Sequence, residues 1–304
     1  MCGVIGLFRV LFKSPTTPKK PSKQTEVLTI SERFRNYFTL PYETAEMLFH
    51  VVRGRKIGRR FGDSNMCCSM SSNISEELIE STRNMHNVDY SSVVFSAILG
   101  AVARALKSSG REPPVTLDLG YVFPMQEHPG GWQSQHLNIL FEEFPCKANS
   151  SQERLLEIQR VFNKDRTLLV STLFFYRRVL AMLPSRILRP MTQFVLKLGP
   201  SFIMSNFDVQ LSKEYVDGLE VVDIFTGVSL STALGMLITS WGVSGQQRFN
   251  FHLDKYIFGD ETSAMKLATY FEEELEALQT LERSPLDFRQ MYMIPCFTDL
   301  LREL

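Results

Sequence analysis

The chain lacks a surplus of either charge. Its 33 basic residues balance 33 acidic ones, so the formal net charge is zero. Nucleic-acid binders usually carry a basic excess, and the sum argues against that class of partner. Long apolar runs are also missing: no stretch holds the roughly 18 consecutive apolar residues that a spanning helix needs. The five cysteines are odd in number and scattered apart from Cys67 and Cys68, and no C-x-x-C spacing occurs. A disulfide framework or redox motif does not suit that pattern, and a reducing compartment is the default reading. The five histidines (His50, His86, His128, His136, His252) are isolated, with no cysteine at a metal-ligand spacing. No metal site is expected from them. A G-x-G-x-x-G after a strand, a P-loop, a G-x-S-x-G elbow and an internal repeat are all absent, which removes the commonest signatures of nucleotide binding, serine hydrolysis and solenoid folds.

What remains is an ordinary globular composition, 44% apolar and 22% charged over 304 residues. Such a chain can bury a core without staples, and its length allows about two domains of roughly 150 residues. Met1 to Phe12 is apolar but interrupted by Arg9. Without a preceding basic region or a following small-residue cleavage site, it reads as an interfacial anchor or a piece of a longer fold. Ser14 to Gln24, with three prolines and three lysines, reads as an extended linker. Glu26 to Arg60 reads as a second connection, ending in Arg53, Arg55, Lys56, Arg59 and Arg60. That run is either a solvated surface or a contact for phosphate or lipid headgroups.

From Asp63 the pattern is regular. Asn65 to Ser71 suits a short strand, and Asn73 with Glu76 suits the start of a helix. A second helix is expected from Ser91 to Lys107, stopped by Gly110; it is apolar on nearly every face and therefore buried. Val115 to Phe123 and Leu137 to Phe144 read as strands around the turn His128 to Trp132. Ser150 with Glu153 opens another helix, and Leu168 to Leu183 and Ser185 to Leu198 suggest two more. Strands are expected at Ser201 to Phe207, Leu219 to Phe225, Ala233 to Trp241 and Gln246 to Leu253, the last two joined through GVSG. Glu261 to Leu281 reads as one long amphipathic helix. Mixed helices and strands with a closing antiparallel run argue for a layered α/β or α+β domain.

Spacing alone identifies no catalytic machinery. His86 with Asp89 is the nearest histidine–carboxylate pair, and helix-end capping explains it. His252 should face away from Phe251 and Leu253, toward an edge or surface. Cys67 and Cys68 cannot both face a core from one strand. Ser91, Ser92, Ser205 and Asn206 occupy ends of apolar elements, where capping and turn formation account for them. One feature is unusual: between Asp165 and Asp208 there is no acidic residue, while Arg166, Arg177, Arg178, Arg186, Arg189 and Lys197 punctuate an apolar stretch. Such segments suit the surface of an anionic membrane, or else are core helices with snorkelling arginines.

Taken in order, these elements resemble a known family. The helix SSVVFSAILGAVARALK, the strand–turn–strand VFPMQEHPGGWQSQHLNILFEEFP, the strand end MSNFDV and the closing GVSLSTALGMLITSWGVSGQQRFNFHLDKYIFGD resemble, from about Asn65 to Leu281, the C-terminal half of the wax ester synthase/diacylglycerol acyltransferase family. The resemblance implies the C-terminal half of a chloramphenicol acetyltransferase-like fold: α/β (α+β), a mixed sheet with flanking helices. It divides the chain into an N-terminal segment and connector (1–60), an acyltransferase-like domain (61–283) and a tail (284–304). It implies acyl transfer from fatty acyl-CoA, a substrate rather than a cofactor, to a long-chain alcohol or diacylglycerol.

By the same resemblance, Ser91 and Ser92 stand where the family has Asn-Asp. Ser205 and Asn206 begin its Ser-Asn-Val-Pro-Gly stretch, which here continues Phe207, Asp208, Val209. These four are the candidate tunnel or motif residues. Arg177, Arg178, Arg186, Arg189 and Lys197 are the membrane-surface candidates, and a membrane-associated location on the cytoplasmic face of the endoplasmic reticulum or plasma membrane is expected. The family's His-His-x-x-x-Asp-Gly motif, whose second histidine is the general base, does not occur in this chain. No catalytic residue is assigned. General-base catalysis needs a basic group within reach of the acceptor proton, so a missing N-terminal half or a partner chain would have to supply it. The alternative is a non-catalytic lipid-binding or membrane-surface interaction protein that keeps the fold.

Overall fold

A computed structural model describes residues 30–53, 57, 66–124, 137–164, 169, 173, 180, 182–198, 202–206, 209, 211–228 and 234–281. Met1 to Phe12, the Ser14 to Gln24 linker, the His128 to Trp132 turn and most of the helix expected at Leu168 to Leu183 lie outside them.

Helix α1 (Ile30–Arg53) comes first, followed by β1 (Met66–Met70), β2 (Ile74–Ser75), α2 (Glu76–His86) and α3 (Tyr90–Ser108). Strands β3 (Thr116–Pro124) and β4 (Leu137–Pro145), then α4 (Ser151–Phe162) and α5 (Ser185–Leu198), lead to β5 (Phe202–Asn206). The short pair β6 (Glu214–Val216) and β7 (Leu219–Val221) precedes the long hairpin β8 (Met236–Val243) and β9 (Gln246–Asp254), and α6 (Glu261–Met265) and α7 (Leu267–Thr280) close the described chain. The main sheet runs β1-β9-β8-β5-β3-β4, with β2 also on β9. Strand β5 is parallel to both β3 and β8, and the remaining pairs are antiparallel, so the sheet is mixed as expected.

Helix α3 is the centre of the core. It is apolar on nearly every face, with its buried residues running from Ser92 to Leu106, and it packs with the sheet, α4 and α7 in one core. It is the one described helix long and apolar enough to cross a membrane, yet 78% of that window is buried inside the protein. Gly110 at φ +74° ends it: Arg111 N–H donates to Leu106 O at 2.8 Å and Gly110 N–H to Lys107 O at 3.0 Å. Only a residue that tolerates a left-handed backbone closes a helix in that way. Midway along, a Cβ on Gly100 would collide with Glu274 Oε2 and stand 2.6 Å from Arg154 Nη2. The glycine lets a buried charge cluster approach the helix backbone: Glu274 of α7 accepts from Arg154 of α4, from Arg104 Nε at 2.6 Å and from Ser151 Oγ at 3.0 Å.

Side chains alternate between the two faces of the sheet. Phe249, Phe251 and Leu253 of β9, Met236 and Ile238 of β8, Phe202 and Met204 of β5, and Leu117, Leu119 and Tyr121 of β3 all belong to the helix-covered core. There Phe95, Tyr121, Phe144 and Phe162 form a knot of rings, with Phe95 and Phe162 edge to face at 5.0 Å. The register places Cys68, Asn250, His252, Thr239, Ser205, Gly120 and Asp118 on the opposite face.

Several boundaries differ from the sequence reading. The connection expected at Glu26 to Arg60 contains a 24-residue helix, α1, which accommodates Pro41. Helix α2 is capped by Ser75, whose Oγ accepts from Glu77 N–H, and not by Asn73. The strand expected at Leu219 to Phe225 stops at Val221 and pairs only with β6. Gly242 and Val243 belong to β8, so the hairpin turn shrinks to Ser244 and Gly245, at φ +53° and +70°. That primed geometry matches the strand twist. The long final helix is two, because Lys266 leaves the helical run between α6 and α7.

Candidate functional site

Two polar clusters occupy the sheet face opposite α3. The first lies on β1, β9 and β8. Cys68 pairs with His252 across β1 and β9, and Thr239 pairs with Asn250 across β8 and β9. Cys68 Sγ stands 3.8 Å from His252 Nδ1, and Thr239 Oγ1 lies 3.3 Å from His252 Nε2 and 2.6 Å from Thr226 Oγ1. His252 is buried, and desolvation pushes its pKa down, so the imidazole is neutral near pH 7. The expectation of an edge or surface position for His252 is corrected. The alternation was right, but β9 lies between β1 and β8 and is no edge strand, and Thr226 meets Thr239 on the face toward which His252 points. Cys68 is exposed, with its thiol pKa raised by desolvation. Cys67 projects to the other side, half-buried, with its pKa pushed up to about 11 chiefly by desolvation.

The second cluster joins α1 to β3 and β4. His50 Nδ1 lies 2.9 Å from Asp118 Oδ1, both residues buried, and Arg53 Nη2 lies 3.3 Å from Glu143 Oε1. The hydrogen bond to Asp118 raises the His50 pKa against the opposing cost of burial. The pair is therefore an ion pair through more of the pH range than a free histidine would allow. One donor atom each from His50, Asp118 and Glu143 lies within 4.8 Å of the others, close enough to hold a cation. The donors are already matched, since Arg53 and Thr116 both serve Glu143 and His50 serves Asp118. Glu46, one helical turn before His50, lies 4.0 Å from its Nε2, but the hydrogen-bonded Asp118 is far away along the chain and invisible to local spacing.

The residues singled out by sequence are distributed as follows. Ser91 is half-buried and Ser92 fully buried at the start of α3. Ser92 Oγ donates to Gln159 Oε1 at 2.7 Å, and Gln159 Nε2 donates to Asp89 Oδ2 at 2.9 Å, fastening α3 to α4. Ser205 is buried at the end of β5 beside Thr239, on the face of the first cluster, and Asn206 follows in register with Ser240. No described hydrogen bond joins Ser92 to Ser205. His86 Nε2 meets Leu278 O at 2.9 Å, a helix-packing role. Arg186 and Arg189 are exposed on α5, which lies against α1; Arg177 and Arg178 lie outside the described residues, and Lys197 falls in the last turn of α5. Helix α1 exposes Phe34 (63%), Phe38 (82%), Tyr42 (72%), Phe49 and Val52, an apolar stripe at three- and four-residue spacing. An open pocket of about 570 Å³ between α2 and the β8–β9 turn is lined by Glu76, Glu77 and Glu80. Its carboxylates do not suit an acyl chain or an anionic cofactor.

No protein-family model matches the sequence, and no curated protein matches it. Solved structures do. A wax ester synthase/diacylglycerol acyltransferase from Marinobacter aquaeolei VT8 superposes on 91% of this chain with a TM-score of 0.53 at 15% identity. The nonribosomal peptide synthetase FmoA3 gives 0.51 over 86% of this chain at 10% identity, covering 29% of its own length. The cyclization-docking bidomain of EpoB from Sorangium cellulosum gives 0.50 over 87% at 10% identity, covering 55% of its own length. This chain spans 63% of the wax ester synthase. At these identities the likeness is one of fold. The fold expected from the sequence resemblance is the one observed: a mixed sheet with flanking helices of the chloramphenicol acetyltransferase-like type.

Proposed function

We propose that the chain is a lipid acyltransferase domain of the wax ester synthase/diacylglycerol acyltransferase type. It would bind fatty acyl-CoA and a long-chain alcohol or diacylglycerol, and draw the general base of acyl transfer to the acceptor from outside its own sequence. The observation carrying this reading is the superposition of 91% of the chain on such an enzyme, of which it spans 63%. The His-His-x-x-x-Asp-Gly motif is absent from the 304 residues, so this polypeptide alone should not acylate an alcohol.

The proposal places the domain on the cytoplasmic face of the endoplasmic reticulum or plasma membrane. The apolar stripe of α1 and the exposed Arg186 and Arg189 of the adjoining α5 support that placement. Apolar side chains entering the interface beside cationic ones are the pattern of a helix resting on anionic lipid.

The test is consumption of acyl-CoA by the purified chain with hexadecanol or diacylglycerol, alone and with the N-terminal half of a wax ester synthase added. Turnover only in the mixture supports the reading; product in neither refutes it and leaves the lipid-binding alternative. Flotation with phosphatidylserine vesicles tests the location. Binding that falls on Arg186→Glu with Arg189→Glu supports the surface role, and binding unchanged by the pair refutes it.

A further inference from the structure

We propose that Cys68, with His252 as its base, is an acyl-accepting thiol: the chain takes an acyl group from a thioester onto its own Cys68. The proposal rests on the acyl-transfer reading only for the choice of donor. Its site is independent of Ser91–Ser92 and of any external histidine.

The geometry is that of a nucleophile, a base and a group that orients the base. Cys68 is open to solvent on edge strand β1, while the ring beneath it is buried. Nδ1 faces the thiol at 3.8 Å and Nε2 faces Thr239 Oγ1 at 3.3 Å. The proposal assigns the ring proton to Nε2, which then donates to Thr239 Oγ1, leaving the Thr239 hydroxyl to donate to Thr226 Oγ1 at 2.6 Å. In that tautomer the Nδ1 lone pair faces the thiol, and desolvation favours the neutral ring. The raised thiol pKa makes spontaneous thiolate scarce, so transfer requires the base.

A second observation points to a ligand on this face. Asn250 is two residues from His252 on the same face of β9 and diagonal to Cys68 in the register. Its side chain is fully buried, and neither Oδ1 nor Nδ2 has a hydrogen-bond partner among the described residues. A buried, unused amide is costly and calls for a role, which meeting a ligand supplies. An acyl carbonyl oxygen is a fitting acceptor for Nδ2. Exposed Met70, on the same face of β1 as Cys68, adds an apolar contact for the chain.

In the step, Cys68 Sγ attacks the thioester carbonyl carbon while its proton passes to His252 Nδ1. The bond from carbon to the donor sulfur breaks, and the proton leaves Nδ1 for the departing thiolate. One thioester replaces another, with a free thiol as the second product and no oxidant or reductant.

The full chain is incubated with octanoyl-CoA at pH 7 and the octanoyl adduct is located by peptide mass spectrometry, with hydroxylamine to release it. The expected result is an adduct on Cys68, absent in Cys68→Ser, retained in Cys67→Ser, and formed about 100-fold more slowly in His252→Gln, as for loss of a general base. Thr239→Val, which leaves the ring in place, should also slow it and move the limb set by the base to lower pH, because a ring without an acceptor for Nε2–H is less basic. Circular dichroism of each variant separates lost folding from lost chemistry. Equal labelling of Cys67 and Cys68, a folded His252→Gln variant that acylates at the wild-type rate, or no adduct at all overturns the proposal. An adduct without alcohol acylation in the mixed-half assay supports this site while the proposed function fails; alcohol acylation without an adduct does the reverse.

Discussion

Removing Glu274 should destabilise the protein far more than an ordinary ion pair would suggest. Its carboxylate is buried and accepts from Arg154, from Arg104 Nε at 2.6 Å and from Ser151 Oγ at 3.0 Å, against the bare backbone at Gly100. In Glu274→Ala the Arg154 guanidinium stays buried, and its hydrogen bonds to Ser96 O and Ser151 Oγ, each at 3.2 Å, carry no compensating charge. Stranding a buried charge costs about 3–5 kcal/mol. For a body of this size that lowers Tm by about 10 °C, at roughly 2–4 °C per kcal/mol. Urea unfolding followed by circular dichroism at pH 7 measures it as a lower midpoint with an unchanged slope. The charge-removing pair Arg154→Met with Glu274→Leu should recover most of the loss, because both desolvation penalties vanish together. A loss below about 1 kcal/mol for Glu274→Ala, the value of an exposed pair, would refute the reasoning.

Other consequences follow from the same physics. The raised pKa of His50 means its pair with Asp118 adds stability fully below about pH 6.5 and loses it as pH rises through the higher folded value. Tm measured from pH 6 to 9 should therefore fall more in the wild type than in His50→Gln. His252 has the opposite sign: its lowered pKa means stability is lost as pH drops below about 6.5 toward the folded value, and His252→Gln should flatten that acid limb. Asn250→Leu should raise stability by about 1–3 kcal/mol, by replacing an unpaired buried amide with apolar atoms, and should slow Cys68 acylation in the same protein. Gly100→Ala should destabilise the chain in thermal melts despite the better helix propensity of alanine, since its Cβ meets Glu274 and Arg154.

The core was legible because its signals are local. Helix α3 announces its burial by apolar residues on nearly all sides, and Ser150 caps α4 through Glu153 N–H as the spacing implied. Helix α1 was misread because Pro41 looks like a break and its exposed Phe34, Phe38 and Tyr42 give no inward stripe, although their four-residue spacing was a usable signal. The clusters were illegible for a different reason. Alternation told which way His252 points, but not that Thr226 and Cys68 wait there, and nothing local joins His50 to Asp118. Proximity across a sheet is a product of topology, and one sequence carries topology only indirectly.

The pairing of β1 with β9 has a kinetic consequence. Met66 must find Asp254 before the sheet is complete, and parallel β5 must slot between β3 and β8, which are far apart in sequence. Contacts this distant are closed late, after a large loss of loop entropy. During synthesis β1 leaves the ribosome long before its partner exists, holding an unpaired edge and the Cys68 thiol in the open. The nascent chain is thus most prone to aggregation and adventitious thiol chemistry over the interval in which β9 is still being made.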